Sequence, residues 1–79
     1  MNNAEMQKIR AVMERAFPNT NIPENVKDLK YGDVDEWDSL GNYALLMLIE
    51  QEFGFEFTMK ELTEIKSIKE IMERIKSLP

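Results

Sequence analysis

The 79-residue chain contains no cysteine and no histidine. Without cysteine there are no disulfide staples and no thiolate metal ligands. Without histidine the chain lacks the usual base near neutral pH, the commonest metal ligand, and every Ser-His or Cys-His nucleophile pair. A self-contained hydrolase is therefore not expected. Long hydrophobic runs are missing too. The longest extends only from Ala44 to Ile49, far short of the roughly 20 apolar residues that span a bilayer. The opening stretch, MNNAEMQKIR, lacks the basic-then-apolar plan of a secretory signal. These absences set the expectation of a cytoplasmic protein with no membrane partner.

Basic residues are missing from one region. Between Lys30 and Lys60 there is no lysine or arginine, while Asp33, Asp35, Glu36, Asp38, Glu50, Glu52 and Glu56 all fall there. The formal charge of −5 is thus concentrated in the middle of the chain. Such a field repels nucleic acid and steers basic protein surfaces toward it. Seventy-nine residues suit one domain, 1–79, near the lower size limit for a core that holds a fold unaided.

What is present is helical patterning. Met6, Ile9, Val12, Met13 and Ala16 recur at helical spacing, from a cap at Asn2 or Asn3 to about Phe17, where Pro18 stops the helix. A connection from 18 to 38 follows, with the turn clusters PNTN, IPEN and YGD. Loops of that length are uncommon and are often functional or folded onto the core. Ile22, Val26, Leu29 and Tyr31 are placed to pin it down, and Pro23 could open a short helical turn through Leu29.

A second helix is expected from Asp38 or Ser39 to Gly54, a residue suited to the left-handed position beyond a helix end. At 100° per residue, Leu45, Leu46, Ile49 and Phe53 gather on one side. Leu40, Tyr43, Ala44 and Met47 gather on nearly the opposite side. One face must be core. The other is either covered by the long loop or open to a partner, and the Leu40–Tyr43–Met47 stripe is the candidate contact surface. Beyond Gly54, Phe55 and Phe57 lie on one side of an extended link. Thr58 and Glu61 make a capping box, with Phe57 and Leu62 at staple positions, for a short helix ending near Ile65. Ser67 and Glu70 make a second box for a helix carrying Ile68, Ile71, Met72, Ile75 and Leu78. The expected fold is all-α: three longer helices, one short third helix and a long first loop.

The stretch EWDSLG, residues 36–41, carries the chemistry. Ser39 and Asp38 are both good N-caps, because their side-chain oxygens accept from orphan backbone N–H groups. If Asp38 takes the cap, Ser39 stands in the first turn with its hydroxyl toward solvent. A phosphodiester on that oxygen would meet the positive end of the helix dipole and unpaired amides. A calcium-loop reading of DVDEWD fails, because Trp37 takes the fifth position, Asp38 stands where glycine is needed, and Ala44 sits where a bidentate glutamate belongs.

The run DSLGNYALLMLIEQEFGFEF, followed by a capped short helix and a final amphipathic helix, resembles the acyl carrier proteins over essentially the whole chain. The resemblance implies an acyl-carrier-like four-helix bundle and a 4′-phosphopantetheine arm, received from coenzyme A by Ser39, whose thiol holds acyl groups as thioesters. It implies that Asp38 helps engage a basic phosphopantetheinyl transferase. Leu40 and Met47 match apolar partner-facing positions, Tyr43 adds an aromatic to that stripe, and Glu50 falls at an acidic recognition position. Leu45, Leu46, Ile49 and Phe53 match the side that lines the core and, in some members, an acyl pocket. The further partners implied are acyl-loading and acyl-processing enzymes with basic patches, met by a monomeric, non-catalytic carrier.

Two departures stand out. Carriers of fatty acid synthesis usually have acidic residues where this chain has Gly41 and Ala44, and Glu36-Trp37 replaces the usual Leu-Gly before the motif. These changes point to a dedicated lipid or secondary-metabolite pathway rather than bulk fatty acid synthesis. An aminoacyl, peptidyl or D-alanyl carrier shares the fold and the serine and differs in cargo. A cofactor-free helical interaction module is the alternative of a different class.

Overall fold

The computed structural model describes residues 3–79 and is all-helical there, with four helices in the expected order. Helix α1 spans Asn3–Ala16, α2 Ser39–Phe53, α3 Met59–Glu64 and α4 Ile68–Lys76. A cap at Asn2 lies outside the described residues, and Asn3 is itself helical. No helix among the described residues is long and apolar enough to cross a membrane.

The core forms where the apolar faces meet. Ile9, Val12, Met13 and Phe17 come from α1 and its end, Leu45, Leu46 and Ile49 from α2, and Ile68, Ile71 and Ile75 from α4. Burying each such side chain contributes about 1.5–3 kcal/mol. The long loop adds Ile22 and Val26 to this core, as their spacing suggests, with Leu29 half-buried. Arg10 straps the same loop to α1, its guanidinium donating to the carbonyls of Ile22 and Pro23 at 2.8 Å each.

Three expectations about local structure need correction. No helical turn runs from Pro23 to Leu29. Only a tight turn closes there, with Leu29 N–H donating to the Val26 carbonyl at 3.0 Å. Tyr31 does not anchor the loop in the core. It remains 36% exposed, and its backbone does the anchoring instead. Tyr31 N–H donates to Lys66 O (2.8 Å) and Ile68 N–H to Leu29 O (3.0 Å), flanking an isolated antiparallel bridge between Lys30 and Ser67. Finally, the Ser67–Glu70 box forms in one half only. Glu70 N–H donates to Ser67 Oγ, while the Glu70 carboxylate accepts from Lys66 N–H, one residue before the cap.

The other stop and start signals act as expected. Gly54 takes a left-handed conformation (φ 71°), and its N–H donates to Glu50 O at 2.8 Å, closing α2. Thr58 and Glu61 form the full reciprocal box that opens α3. Phe55 and Phe57 pack edge-to-face, with centroids 4.8 Å apart. Arg74 of α4 donates to Glu61 of α3 at 2.6 Å and lies over the Phe55 ring, holding the short helix against the last one.

Candidate functional site

Asp38 takes the cap of α2. Its carboxylate accepts from Gly41 N–H at 2.8 Å, and its backbone is extended. Ser39 is therefore the first residue of α2, and it is exposed. Of the two arrangements open at the sequence level, this one leaves the serine oxygen free of capping duty. That oxygen lies 3.1 Å from the Tyr31 hydroxyl, and either group can donate.

The entry to α2 is fixed from below by two residues whose importance the sequence did not reveal. Trp37 is 1% exposed and packs on Phe17, with ring centroids 5.6 Å apart. Its indole N–H donates to Asn42 Oδ1 at 2.9 Å. Asn42, the one buried polar residue among those described, then donates through Nδ2 to Ile65 O at 3.0 Å. Both ends of the amide are thus satisfied, as burial demands. The link joins the residue before the motif, the first turn of α2 and the α3–α4 junction. The signal available in the sequence was a lone amide three, four and seven residues before Leu45, Leu46 and Ile49, inside the stripe that is buried.

Gly41 has a specific packing reason. A Cβ there would overlap the carbonyl oxygen of Glu36 and press the Phe17 ring at 3.1 Å. The Glu36 carboxylate meanwhile accepts from Asn19 N–H (2.9 Å) and Thr20 Oγ1 (2.7 Å), tying the loop end to the segment after α1. The loop thus lies directly on the first turn, and no larger residue fits at 41 unless it moves.

The stripe expected to face outward is open at its start. Leu40 is 82% exposed and Tyr43 53%, while Met47 is half-buried. On the other side Leu45, Leu46 and Ile49 are fully buried and Phe53 is half-buried. Glu50 is half-buried, and one of its carboxylate oxygens accepts from Phe57 N–H at 2.7 Å.

The acid-rich region has a second use. Asp33, Glu36, Asp38 and Glu50 each accept a backbone N–H bond that shapes a turn, a cap or a link. The backbone N–H of Lys30, then its side chain, holds the Asp33 carboxyl below its ordinary pKa. Asp35, Glu52 and Glu56 stay exposed. Beside Ser39, a cleft of about 230 Å³ is lined by Tyr31, Ser39, Asn42, Leu62, Thr63 and Lys66. Lys66 Nζ sits over the Tyr31 ring, 5.3 Å from its centroid.

An exposed serine hydroxyl at the start of a helix with one face in the core, with Asp38 beside it and a cleft in front, fits a phosphodiester-linked arm. Sequence comparisons agree. Residues 37–75 match the model of the phosphopantetheine attachment site. The acyl carrier protein of Coprothermobacter proteolyticus is 42% identical over 40 residues, 51% of this chain and 49% of that one, so the match spans about half that relative's length. The acyl carrier protein of Rickettsia bellii is 29% identical over 76 residues, 96% of this chain and 91% of that one. No solved structure matches significantly. Helix order, attachment-site motif and relatives converge: they support the acyl carrier protein family and indicate a covalently attached 4′-phosphopantetheine.

Proposed function

We propose that Ser39 Oγ is the attachment atom, and that the chain carries acyl groups for a dedicated lipid or secondary-metabolite pathway in the cytoplasm. The observation that supports this most is the division of labour at the head of α2. Asp38 accepts the capping bond, so the Ser39 hydroxyl next to it stays exposed. When bound, the arm supplies a thiol that holds the acyl group as a thioester. This chain's own residues do the rest of the work. Ser39 offers its oxygen and gives up its proton to the modifying enzyme. Asp38 orders the turn and keeps negative charge beside the serine. Leu40, Tyr43 and Met47, with Glu50 at the far end, form the face offered to the phosphopantetheinyl transferase and to the acyl-loading and acyl-processing enzymes.

In this reading the chain catalyses nothing, and acid, base and nucleophile come from the partners. Attraction between its acidic surface and basic partners gives modest, salt-sensitive affinity, which lets the carrier leave after each step. The dedicated pathway is inferred from Gly41. The Glu36 carbonyl leaves no room there for the acidic side chain that fatty-acid-synthesis carriers usually place after the motif. Partner recognition must then rest more on the apolar stripe than on charge.

Intact-mass measurement after incubation with coenzyme A and a broad-specificity phosphopantetheinyl transferase tests the reading. The wild-type chain should gain one phosphopantetheine and the Ser39→Ala chain none. A wild-type chain that gains nothing would instead support a cofactor-free interaction module.

A further inference from the structure

Three segments meet around the cleft beside Ser39: the loop at Tyr31, the start of α2, and the α3–α4 junction at Lys66. The convergence is held by backbone bonds. Tyr31 N–H donates to Lys66 O, Ile68 N–H donates to Leu29 O, and Asn42 ties Ile65 to α2. The Tyr31 and Lys66 side chains therefore come from paired backbone rather than from two free loops. One points its hydroxyl at Ser39, at 3.1 Å, and the other sets its ammonium over the same ring. Both line the cleft beside Ser39, together with Leu62 and Thr63.

We propose that Tyr31 and Lys66 form a cradle for the phosphodiester on Ser39, so that the arm leaves the serine along this cleft instead of swinging freely from its first atom. The inference rests on the attachment reading and deepens it. Chemistry of the hydrogen bond gives it direction. In the unmodified chain either hydroxyl can donate. Esterification removes the Ser39 proton, so Tyr31 is left as the sole donor, aimed at the ester oxygen or at a phosphate oxygen beside it. Electrostatics give it sign. The phosphodiester adds a negative charge next to Asp38, in a stretch from 31 to 59 that holds seven acids and no base. Lys66 is the one cation lining the cleft, and it forms no ion pair among the described residues. An ammonium to phosphate contact there is charge-assisted and is favoured over two neutral partners.

The test compares wild type, Tyr31→Phe, Lys66→Ala and Lys66→Arg, each loaded with the arm and checked by intact mass. Matching amide NMR spectra of the unloaded chains establish that the fold is kept. Phosphorus NMR is then read on each loaded chain. Tyr31→Phe and Lys66→Ala should both move the phosphorus resonance from its wild-type position, and Lys66→Arg should leave it near that position. Raising the salt concentration should move the wild-type resonance toward that of Lys66→Ala. Loading of the wild type should also shift the amides of Tyr31, Thr63 and Lys66, and these shifts should shrink in Lys66→Ala. A phosphorus resonance that coincides in wild type and both disruptive variants, with the Lys66 amide unmoved on loading, overturns the cradle and leaves the attachment intact. Failure of the wild type to gain mass overturns the attachment reading, and the cradle with it.

Discussion

The two sides of α2 have the same composition class and opposite fates. Leu45, Leu46 and Ile49 are fully buried in the core they share with α1 and α4 residues, whereas Leu40 and Tyr43 on the other side lie in solvent. Both sides are apolar, so hydrophobicity alone does not say which is core. Coverage decides it. The long loop could have closed over the second face, but its own anchors hold it elsewhere. Ile22 and Val26 go into the core under Arg10, Trp37 lies on Phe17, and Tyr31 pairs its backbone with Lys66. With the loop committed there, the start of the Leu40–Tyr43 stripe is left open. A helix with one face in the core and the other in water can hold a serine rigidly while leaving its surroundings accessible.

The comparison is broken most strongly on the buried side. Leu45→Ala should cost about 2–5 kcal/mol, from lost transfer energy and a cavity, read as a lower urea midpoint. Next comes the polar link beneath the motif. Asn42→Ala leaves the Trp37 indole N–H and the Ile65 carbonyl unpaired in the interior, at about 1–3 kcal/mol for each group. Trp37→Phe strands only Asn42 Oδ1 and should cost less, which sharpens the attribution to the hydrogen bonds. Gly41→Glu forces a side chain against the Glu36 carbonyl. It should cost about 1–3 kcal/mol, as overpacking does, and should shift the amide resonances of 36–41.

The smallest effect is a pH dependence at α3. The backbone N–H of Thr58, opposed by partial burial and aided by Arg74, lowers the Glu61 carboxyl pKa. A lowered pKa means that the folded state prefers the charged form. Its stabilisation is complete above the ordinary carboxylate range, about pH 4, and is lost as pH falls through the lowered value. Asp33 acts in the same direction. Glu61→Gln should therefore flatten the acid limb of urea midpoint against pH while leaving its shape near neutrality unchanged.

Periodicity made much of this legible. The four helices, the Gly54 stop and the Thr58 box follow from spacing and caps, because those signals are local, whereas spacing gives α2 two apolar faces without saying which is core. The loop was only half legible. Ile22 and Val26 are placed as their spacing suggests, but Tyr31 is not, since its position is set by backbone pairing with residues 35 positions away. In the sequence Trp37 stands out as a departure from a family pattern rather than as a core residue, and Asn42 is marked by nothing beyond its spacing from Leu45, Leu46 and Ile49. Both depend on a partner that spacing cannot show: the indole finds its acceptor on the next helix and the amide finds its own at Ile65. At the site, Ser39 and Asp38 stand out as a pair in the sequence, and the Gly41 N–H bond to Asp38 decides which is the cap and which the exposed hydroxyl. Lys66, remote in sequence, gave no signal.

The claim that α2 divides its faces between folding and presentation is tested most directly by Leu40→Ala, measured for thermal unfolding and for the rate of phosphopantetheinylation on the same preparation. The midpoint should shift by an amount worth less than about 0.5 kcal/mol, as for an exposed site, together with a clear loss of modification rate. A chain that unfolds markedly earlier, or one modified as fast as wild type, would contradict it.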